Sequence, residues 1–322
     1  MGDLPKFVEF REMGPREGFQ IEKRHYPLED RVKIIDALSE TGVKHIQMAS
    51  FVSPKFVPSM ADAEKLFASI SCREGVHYEG IWFNRRGFDR ALATPGAYIT
   101  GKMGLYTSNE FCLKNNNCTA EEQRQRQLEM LDLYDSHGLP VEQASILTAF
   151  GCNLSGEVPI SIVTDCARFI KETCLSQGRE LPIIYLVDTV GWANPEDVKR
   201  RVGAVRELMP DVRMGLHLHD TRGLGGANFY AGLEMGVDLF DSSVAGLGGC
   251  PFAAFKDPNG AGNICTEDMV FMCEELGIET GIDLEKMIEA ARITESIMGR
   301  TLPGKIMHSG SLATFRKGRI DS

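Results

Sequence analysis

The chain has 322 residues, of which 43% are hydrophobic and 25% are charged, as is ordinary for a globular protein. Its formal net charge of −10 argues against nucleic acid as the main partner, and no run of about 18 apolar residues predicts a membrane span. The nine scattered cysteines are odd in number and include no Cys-x-x-Cys pair, which favours reduced thiols in the cytoplasm over a disulfide framework.

Short apolar segments predict eight β-strands, with longer helical stretches between many of them. The strands are expected to begin near Phe7, Val43, His77, Ala97, Val141, Pro182, Val212 and Leu239. The predicted helices span residues 28–41, 119–137, 160–177, 195–209 and 224–235. The segment 182–187 is a continuous apolar run that ends at Asp188, which is typical of a strand covered on both faces.

This alternation of strands and helices predicts a parallel sheet, and eight strands are the number that closes an α/β (β/α)8 TIM barrel. A doubly wound open sheet is the alternative, but no Gly-x-Gly-x-x-Gly or Walker loop supports it. We expect one catalytic domain over residues 1–322. The barrel would occupy about residues 6–276, and extra C-terminal helices and a polar tail would follow over 277–322.

Two histidines and a carboxylate fall near the predicted ends of strands, where barrel enzymes carry their catalytic groups. His217 and His219 are two residues apart, so both imidazoles would point to one face of a strand. Such a pair alone is equally consistent with one core histidine and one coincidence. Together with Glu17, the pair favours a site for Mg²⁺ or Mn²⁺.

Arg16 and Cys250 are further candidates for chemistry, and each has a structural alternative. Arg16 either forms an ion pair with Glu17 at the barrel rim or faces negative charge that develops on a substrate oxygen. Cys250 lies after Gly248 and Gly249 in a loop that glycines allow to move, so its thiol could serve as an acid/base group. A lone cysteine is more often a small buried hydrophobe.

Six segments, in chain order, match a known family. They are Gly-Pro-Arg-Glu-Gly-Phe-Gln at 14–20, Ser-Phe-Val-Ser-Pro-Lys at 50–55, Lys-Asn-Asn-Asn-Cys at 114–118, Asp-Thr-Val-Gly at 188–191, His-Leu-His-Asp at 217–220, and the run from 241 through Cys-Pro-Phe-Ala at 250–253 to Gly-Asn at 262–263. Together they resemble the 3-hydroxy-3-methylglutaryl-CoA lyases, which are DRE-type TIM-barrel metallolyases. The run from 241 is the most specific of these matches.

The resemblance implies a role for each matching position. Its metal ligands would be Glu17, His217, His219 and Asn263, and its metal Mg²⁺ or Mn²⁺. Its catalytic residues would be Arg16, Cys250 and Asp188, together with Gln47. Lys114 and Asn115 lie in a segment near the coenzyme A end of such a site.

Three departures from the family pattern are present. Glu17 stands where the family has an aspartate ligand, and Gln47 stands where it has a glutamate after the second strand. The stretch between Cys250 and Asn263 is four residues longer than the family spacing. These changes leave the reaction class in place and bear on the identity of the substrate.

The function that the resemblance implies is cleavage of a carbon–carbon bond in 3-hydroxy-3-methylglutaryl-CoA, or a similar 3-hydroxyacyl-CoA, to acetyl-CoA and a keto acid such as acetoacetate. Citramalyl-CoA or a longer-branched 3-hydroxyglutaryl-CoA is an alternative substrate. A Claisen-type acyl-CoA synthase and a non-catalytic ligand-binding barrel are alternative functions. We expect an acyl-CoA thioester as ligand, no nucleic acid or membrane partner, and a homo-oligomer such as a dimer.

Cys250 yields the first testable prediction. Replacement by serine should reduce kcat by two to four orders of magnitude, roughly the range for loss of a general acid, with little change in metal content. Alkylation by iodoacetamide should be faster at Cys250 than at the other eight thiols. Full activity of the Cys250→Ser variant, with equal alkylation rates at all exposed cysteines, would contradict the assignment.

Overall fold

Parallel strands and helices alternate throughout the computed structural model of the chain, which describes residues 4–22, 24–249 and 262–316. The strands are β1 Glu9–Glu12, β2 His45–Ser50, β3 His77–Ile81, β4 Gly101–Tyr106, β5 Val141–Leu147, β6 Ile183–Val187, β7 Met214–His217 and β8 Leu239–Ser242. Each begins within four residues of its predicted start, so the predicted order of strands is confirmed.

Thirteen α-helices occur among the described residues. They are α1 Gly14–Ile21, α2 Leu28–Ser39, α3 Ala63–Ser69, α4 Arg85–Leu92, α5 Asn109–Asn116, α6 Ala120–Ser136, α7 Ile160–Ser176, α8 Pro195–Leu208, α9 Gly225–Glu234, α10 Thr266–Glu275, α11 Leu284–Met298, α12 Ile306–Ser309 and α13 Leu312–Arg316. None of them combines the length and apolar composition needed to cross a membrane. The extra C-terminal helices of the prediction are α11 to α13.

Hydrogen bonding joins the eight strands in the order β3-β2-β1-β8-β7-β6-β5-β4. All neighbouring pairs are parallel, and the sheet curls into the (β/α)8 TIM barrel that the sequence predicted. Between β3 and β4, the described residues form only one isolated bridge, which pairs Glu79 with Tyr98. The barrel therefore has a seam at this position.

Side chains of α6 cover the edge that β4 leaves free at the seam. The backbone N–H of Gly104 donates to Oε1 of Gln127 at 2.8 Å, and Nε2 of Gln123 donates to the carbonyl of Gly104 at 3.1 Å. Trp82 Nε1 donates to the hydroxyl of Tyr134 at 2.9 Å, which ties the end of β3 to the same helix. These bonds satisfy backbone groups that a neighbouring strand would otherwise pair.

Two helices near the site are absent from the predicted set. The segment around Arg16 forms helix α1, because Pro15 occupies its first turn and supplies a helical φ without needing an N–H partner. Lys114 and Asn115 belong to α5, whose C-cap Asn117 has a left-handed conformation with φ 51°. Helix α6 begins with a capping box, since Thr119 and Glu122 bond reciprocally.

Two fully buried carboxyls hold the turn after β8 against the rest of the barrel. Glu12 accepts the amides of Gly14 and Val244 at 2.8 and 2.9 Å, and Glu267 accepts the amide of Ala245 at 3.0 Å. Ala245 has a φ of 56°, a conformation that costs energy for a residue with a side chain. Burial raises the pKa of Glu12 to about 7 and that of Glu267 to about 8.

A pH dependence of stability follows for Glu267. Its unfolded carboxyl loses the proton near pH 4.5 and the folded one near 8, so between these values the folded state binds more protons and stability falls as pH rises. The urea midpoint of the wild type should therefore decrease between about pH 5.5 and about pH 8.5 by more than that of Glu267→Gln. Glu121→Gln, on the exposed side of α6, is the control. Equal decreases in wild type and Glu267→Gln would contradict this origin.

Candidate active site

One cavity of about 290 Å³ opens at the carboxyl ends of the strands and contains the main predicted residues. Arg16 and Glu17 line it from α1, Gln47 from β2, and His217 and His219 from the end of β7. Strands of the barrel all point their carboxyl ends to this side, which is why residues distant in sequence meet here.

Glu17, His217 and His219 are buried and offer ligand atoms that all lie within 4.8 Å of one another. The Nε2 atoms of the two histidines are 3.3 Å apart, and Nε2 of His217 is 3.8 Å from Oε1 of Glu17. Both imidazoles therefore face the same point next to the carboxylate of Glu17. His219 lies just beyond β7, where its backbone forms a bridge with Asn263.

Asn263 lies next to this group, and the contacts of its side chain show that a cation would suit the site. Its Nδ2 donates to Oε2 of Glu17 at 2.8 Å, while its Oδ1 is buried without a hydrogen-bond partner. A buried carbonyl oxygen with no donor is costly, and a bound cation would satisfy it. Two imidazoles, one carboxylate and one amide oxygen form a donor set that suits Mg²⁺ or Mn²⁺.

Electrostatics set the protonation of these groups. Burial and the neighbouring His217 lower the pKa of His219 to about 3, so this ring is neutral. Burial alone would raise the pKa of Glu17, but the charge of Arg16 and the two histidines outweigh it and lower the pKa to about 2. For His217, burial lowers the pKa, but Glu17 and Asp241 outweigh burial and raise it. Of the two rings, His217 is therefore the one that holds an added proton more readily, and a bound cation would displace that proton.

Arg16 is fixed in place by two acceptors. Its Nε donates to Oε1 of Gln47 at 2.5 Å, and one terminal nitrogen donates to Oε1 of Glu17 at 2.7 Å. The sequence left an ion pair and a catalytic cation as alternatives; the structure shows the ion pair and also places the arginine in the cavity wall. Gln47 accepts a hydrogen bond from Arg16 without cancelling its charge, whereas a glutamate at this position would cancel it.

Glycine is required where the turn after β8 passes Glu17. Gly248 has a φ of 97°, and a Cβ at this position would lie 2.8 Å from the Cβ of Glu17. Any larger residue would displace the carboxylate. Gly249 reaches the cavity wall, and the predicted acid Cys250 follows it but lies outside the described residues.

Asp188 is not brought to the cavity wall with the others. Its carboxylate accepts the amides of Trp192 and Ala193 at 2.7 and 3.2 Å and so holds the turn after β6. Burial raises its pKa to about 6. Of the pair predicted to lie near coenzyme A, Asn115 lines the cavity and donates to the hydroxyl of Tyr106 at 2.9 Å.

Asp241 is a site residue that the sequence reasoning missed. It pairs in register with His217 across β7 and β8, and its Oδ2 lies 3.0 Å from Nδ1 of that ring. This contact turns Nε2 of His217 toward Glu17 and fixes which nitrogen is available to a cation. The sequence offered one signal for Asp241, which is its position near the end of the last strand. The segment was noted only because it matches the family.

Known proteins similar to this chain belong to the family that the sequence motifs resemble. The HMGL-like family profile matches residues 7–294. The human mitochondrial hydroxymethylglutaryl-CoA lyase is 38% identical over 95% of this chain and 90% of its own length, and a hydroxymethylglutaryl-CoA lyase of Bacillus subtilis is 35% identical over 94% and 96%. The structure of an HMG-CoA lyase from Acinetobacter baumannii, in complex with coenzyme A and 3-methylmalate, superimposes with a TM-score of 0.84 at 34% identity, covering 97% of both chains.

Metal binding gives a prediction that does not depend on activity. Titration with Mn²⁺, followed by electron paramagnetic resonance, should show one site in the wild type. Asn263→Leu should weaken binding by roughly 10-fold or more, and His217→Ala/His219→Ala should abolish it. His77→Ala is the control, because His77 lies at the opposite end of the barrel and stacks on Tyr98. Unchanged affinity in the double variant would exclude this site.

Proposed function

The chain belongs to the HMGL-like family of carbon–carbon lyases, and we propose that it cleaves 3-hydroxy-3-methylglutaryl-CoA to acetyl-CoA and acetoacetate with the help of a divalent cation. The observation that carries this proposal is the cluster of Glu17, His217 and His219 beside Arg16 in one cavity, with Asn263 bonded to Glu17. The match covers nearly the whole length of its curated relatives, and these relatives are hydroxymethylglutaryl-CoA lyases.

The cation would be Mg²⁺ or Mn²⁺, held by these four residues. When bound, it would lower the pKa of the substrate's 3-hydroxyl and hold that oxygen in the cavity. Glu17 contributes the one full negative charge among these four residues, and Asp241 orients His217 through its Nδ1 atom.

The chemical steps assign one task to each remaining group. The hydroxyl O–H bond breaks, the C2–C3 bond breaks, and its electrons pass to the thioester as an enolate. Arg16 faces this developing charge, and a fixed donor of that kind contributes about 3–4 kcal/mol to the transition state. Cys250 gives its proton to C2, which yields acetyl-CoA, while C3 becomes the ketone of acetoacetate.

The acceptor of the hydroxyl proton is assigned to water. Among the described residues that line the cavity, Glu17 and Asp241 are the carboxylates, and both are already bonded to histidine or arginine. Asp188 is one of the catalytic residues that the resemblance implies, but its oxygens hold the turn after β6. In the proposed mechanism it acts indirectly, since that turn carries Thr189 into the cavity wall.

Coenzyme A is proposed to lie toward the end of α5, where Asn115 and Lys114 are found. The eight described cysteines are free, which supports a reducing compartment such as the cytoplasm. A homodimer remains our expectation. The Claisen-type synthase is not favoured, because the full-length relatives are lyases.

Activity of an Arg16 variant tests the proposal. Release of acetyl-CoA and acetoacetate from 3-hydroxy-3-methylglutaryl-CoA should be cation-dependent, and Arg16→Gln should lower kcat by about 100- to 1,000-fold, because the charge that faces the enolate is lost. Mn²⁺ binding should persist in this variant. Arg200→Gln, an exposed position on α8, is the control. Formation of free coenzyme A from acetyl-CoA and a 2-oxoacid, without cleavage activity, would identify a synthase instead.

A further inference from the structure

Tyr106 forms part of the wall of the active-site cavity, and the mechanism proposed above gives it no task. It is the last residue of β4 and lines the cavity together with Leu147, its register partner on β5. His217 is the last residue of β7, and its register partner Val187 also lines the cavity. Tyr106 therefore lies at the same end of the barrel as the cation cluster, on a different side of the cavity.

A chain of side-chain amides fixes which groups around Tyr106 donate hydrogen bonds. The carbonyl of Gly104 can only accept, so Gln123 must turn its amide nitrogen toward it, at 3.1 Å. Gln123 then presents its oxygen to Nδ2 of Asn116 at 3.5 Å, and Asn116 presents its own oxygen to Nδ2 of Asn115 at 3.2 Å. This order leaves the amide nitrogen of Asn115 next to the hydroxyl of Tyr106, to which it donates at 2.9 Å.

The bond from Asn115 makes the hydroxyl of Tyr106 a donor. A phenolic oxygen that accepts an N–H bond keeps its own hydrogen for another acceptor, and among the described residues this hydrogen is donated to no group. Burial raises the pKa of Tyr106 well above its ordinary value and outweighs the bonds from the two asparagines, so the hydroxyl keeps its proton. The ring stacks on Phe111 with the centroids 6.0 Å apart, which limits its movement. The cavity wall therefore carries a neutral O–H donor in a fixed position.

The neighbours of Tyr106 indicate which part of a bound substrate this donor meets. Asn115 is exposed at the end of α5, where coenzyme A is proposed to lie, and Tyr106 is buried beneath it. The cation cluster, which would hold the 3-hydroxyl, lies elsewhere in the wall of the same cavity. In the proposed substrate, the thioester carbon is two bonds from the carbon that bears this hydroxyl, on the side of coenzyme A. The thioester would therefore lie between the cation cluster and α5, next to Tyr106.

We propose that Tyr106 is a catalytic residue that donates a hydrogen bond to the thioester oxygen, as a second donor beside Arg16. This inference rests on the proposed function and adds a residue to its mechanism. Negative charge grows on that oxygen as the C2–C3 bond breaks, so a hydrogen bond to it is stronger in the transition state than in the bound substrate. The O–H bond of Tyr106 stays intact throughout, and the proton that C2 receives still comes from Cys250. The atom balance of the reaction is therefore unchanged.

Removal of the hydroxyl tests this role. Tyr106→Phe keeps the ring on Phe111 and should fold, because the donor that loses its partner is the exposed Asn115, which water can reach. We expect kcat to fall by about 100- to 1,000-fold, as for the loss of one oxyanion donor, with Mn²⁺ affinity unchanged. Tyr78→Phe is the matched control, since Tyr78 is also buried but its hydroxyl accepts the amide of Arg73 outside the cavity. A kcat for Tyr106→Phe no lower than that of the control would overturn the proposal.

Two substitutions of Asn115 test the direction of the hydrogen bond. Asn115→Asp places an acceptor beside Tyr106, so the O–H should turn to the carboxylate and away from the thioester. At saturating substrate, kcat should fall nearly as far as in Tyr106→Phe, although the hydroxyl is still present. Asn115→Leu removes the bond but offers no acceptor, so the expected loss of kcat is smaller, about 10-fold or less. Equal losses in the two variants, or a greater loss in Asn115→Leu, would contradict the donor role.

The infrared band of a bound thioester carbonyl gives a readout that does not require cleavage. Acetyl-CoA with ¹³C at its carbonyl carbon is bound to the Mn²⁺-loaded protein, and the difference from unlabelled acetyl-CoA isolates the band. A hydrogen bond to this oxygen weakens the C=O bond, so the band should lie at higher frequency in Tyr106→Phe and Asn115→Asp than in the wild type and Tyr78→Phe.

The two readouts distinguish failure of the donor from failure of the proposed function. If the band depends on Tyr106 but no thioester is cleaved, the proposed function fails and the donor stands. If the wild type cleaves 3-hydroxy-3-methylglutaryl-CoA, and Tyr106→Phe changes neither the band nor kcat, the donor is overturned and the proposed function stands.

Discussion

The arrangement of the site depends on two imidazole nitrogens that are held 3.3 Å apart next to an ionised carboxylate. Such a cluster is unfavourable unless a proton or a cation lies between its members, and each surrounding contact limits how it can relax. Asp241 fixes the ring of His217 through its Nδ1 atom, and Asn263 donates a hydrogen bond to Glu17. The backbone at Gly248 packs directly against Glu17. The barrel therefore holds these groups in the arrangement that the proposed cation would need, before any cation is bound.

Arg16 supplies positive charge next to the same carboxylate. It bonds to Glu17 on one side and to the neutral amide of Gln47 on the other, so one carboxylate contacts both the histidine cluster and the arginine. An acidic residue at position 47 would compete for the arginine's charge. With glutamine there, the guanidinium keeps its position and more of its attraction for a developing enolate.

Much of this organisation could be predicted from sequence, because apolar runs such as 182–187 and the spacing of His217 and His219 are local signals. The helical state of 14–21 was missed, since a Gly-Pro start is as typical of a turn as of a first helical turn. The role of Asp241 depends on the register between β7 and β8, and the seam depends on an absent pairing between β3 and β4 among the described residues. Neither leaves a pattern within one segment of the chain.

The seam also divides the barrel into two parts that differ in how well they tolerate substitutions. Substitutions at the ends of β1, β7 and β8 disturb paired strands and cation ligands together, so few of them can be tolerated. At β3 and β4, side chains of α6 replace a strand partner, and a residue such as Met130 can change size without breaking a ladder of backbone bonds. A substitution on α6 can therefore reshape the cavity wall without moving Glu17, His217 or His219.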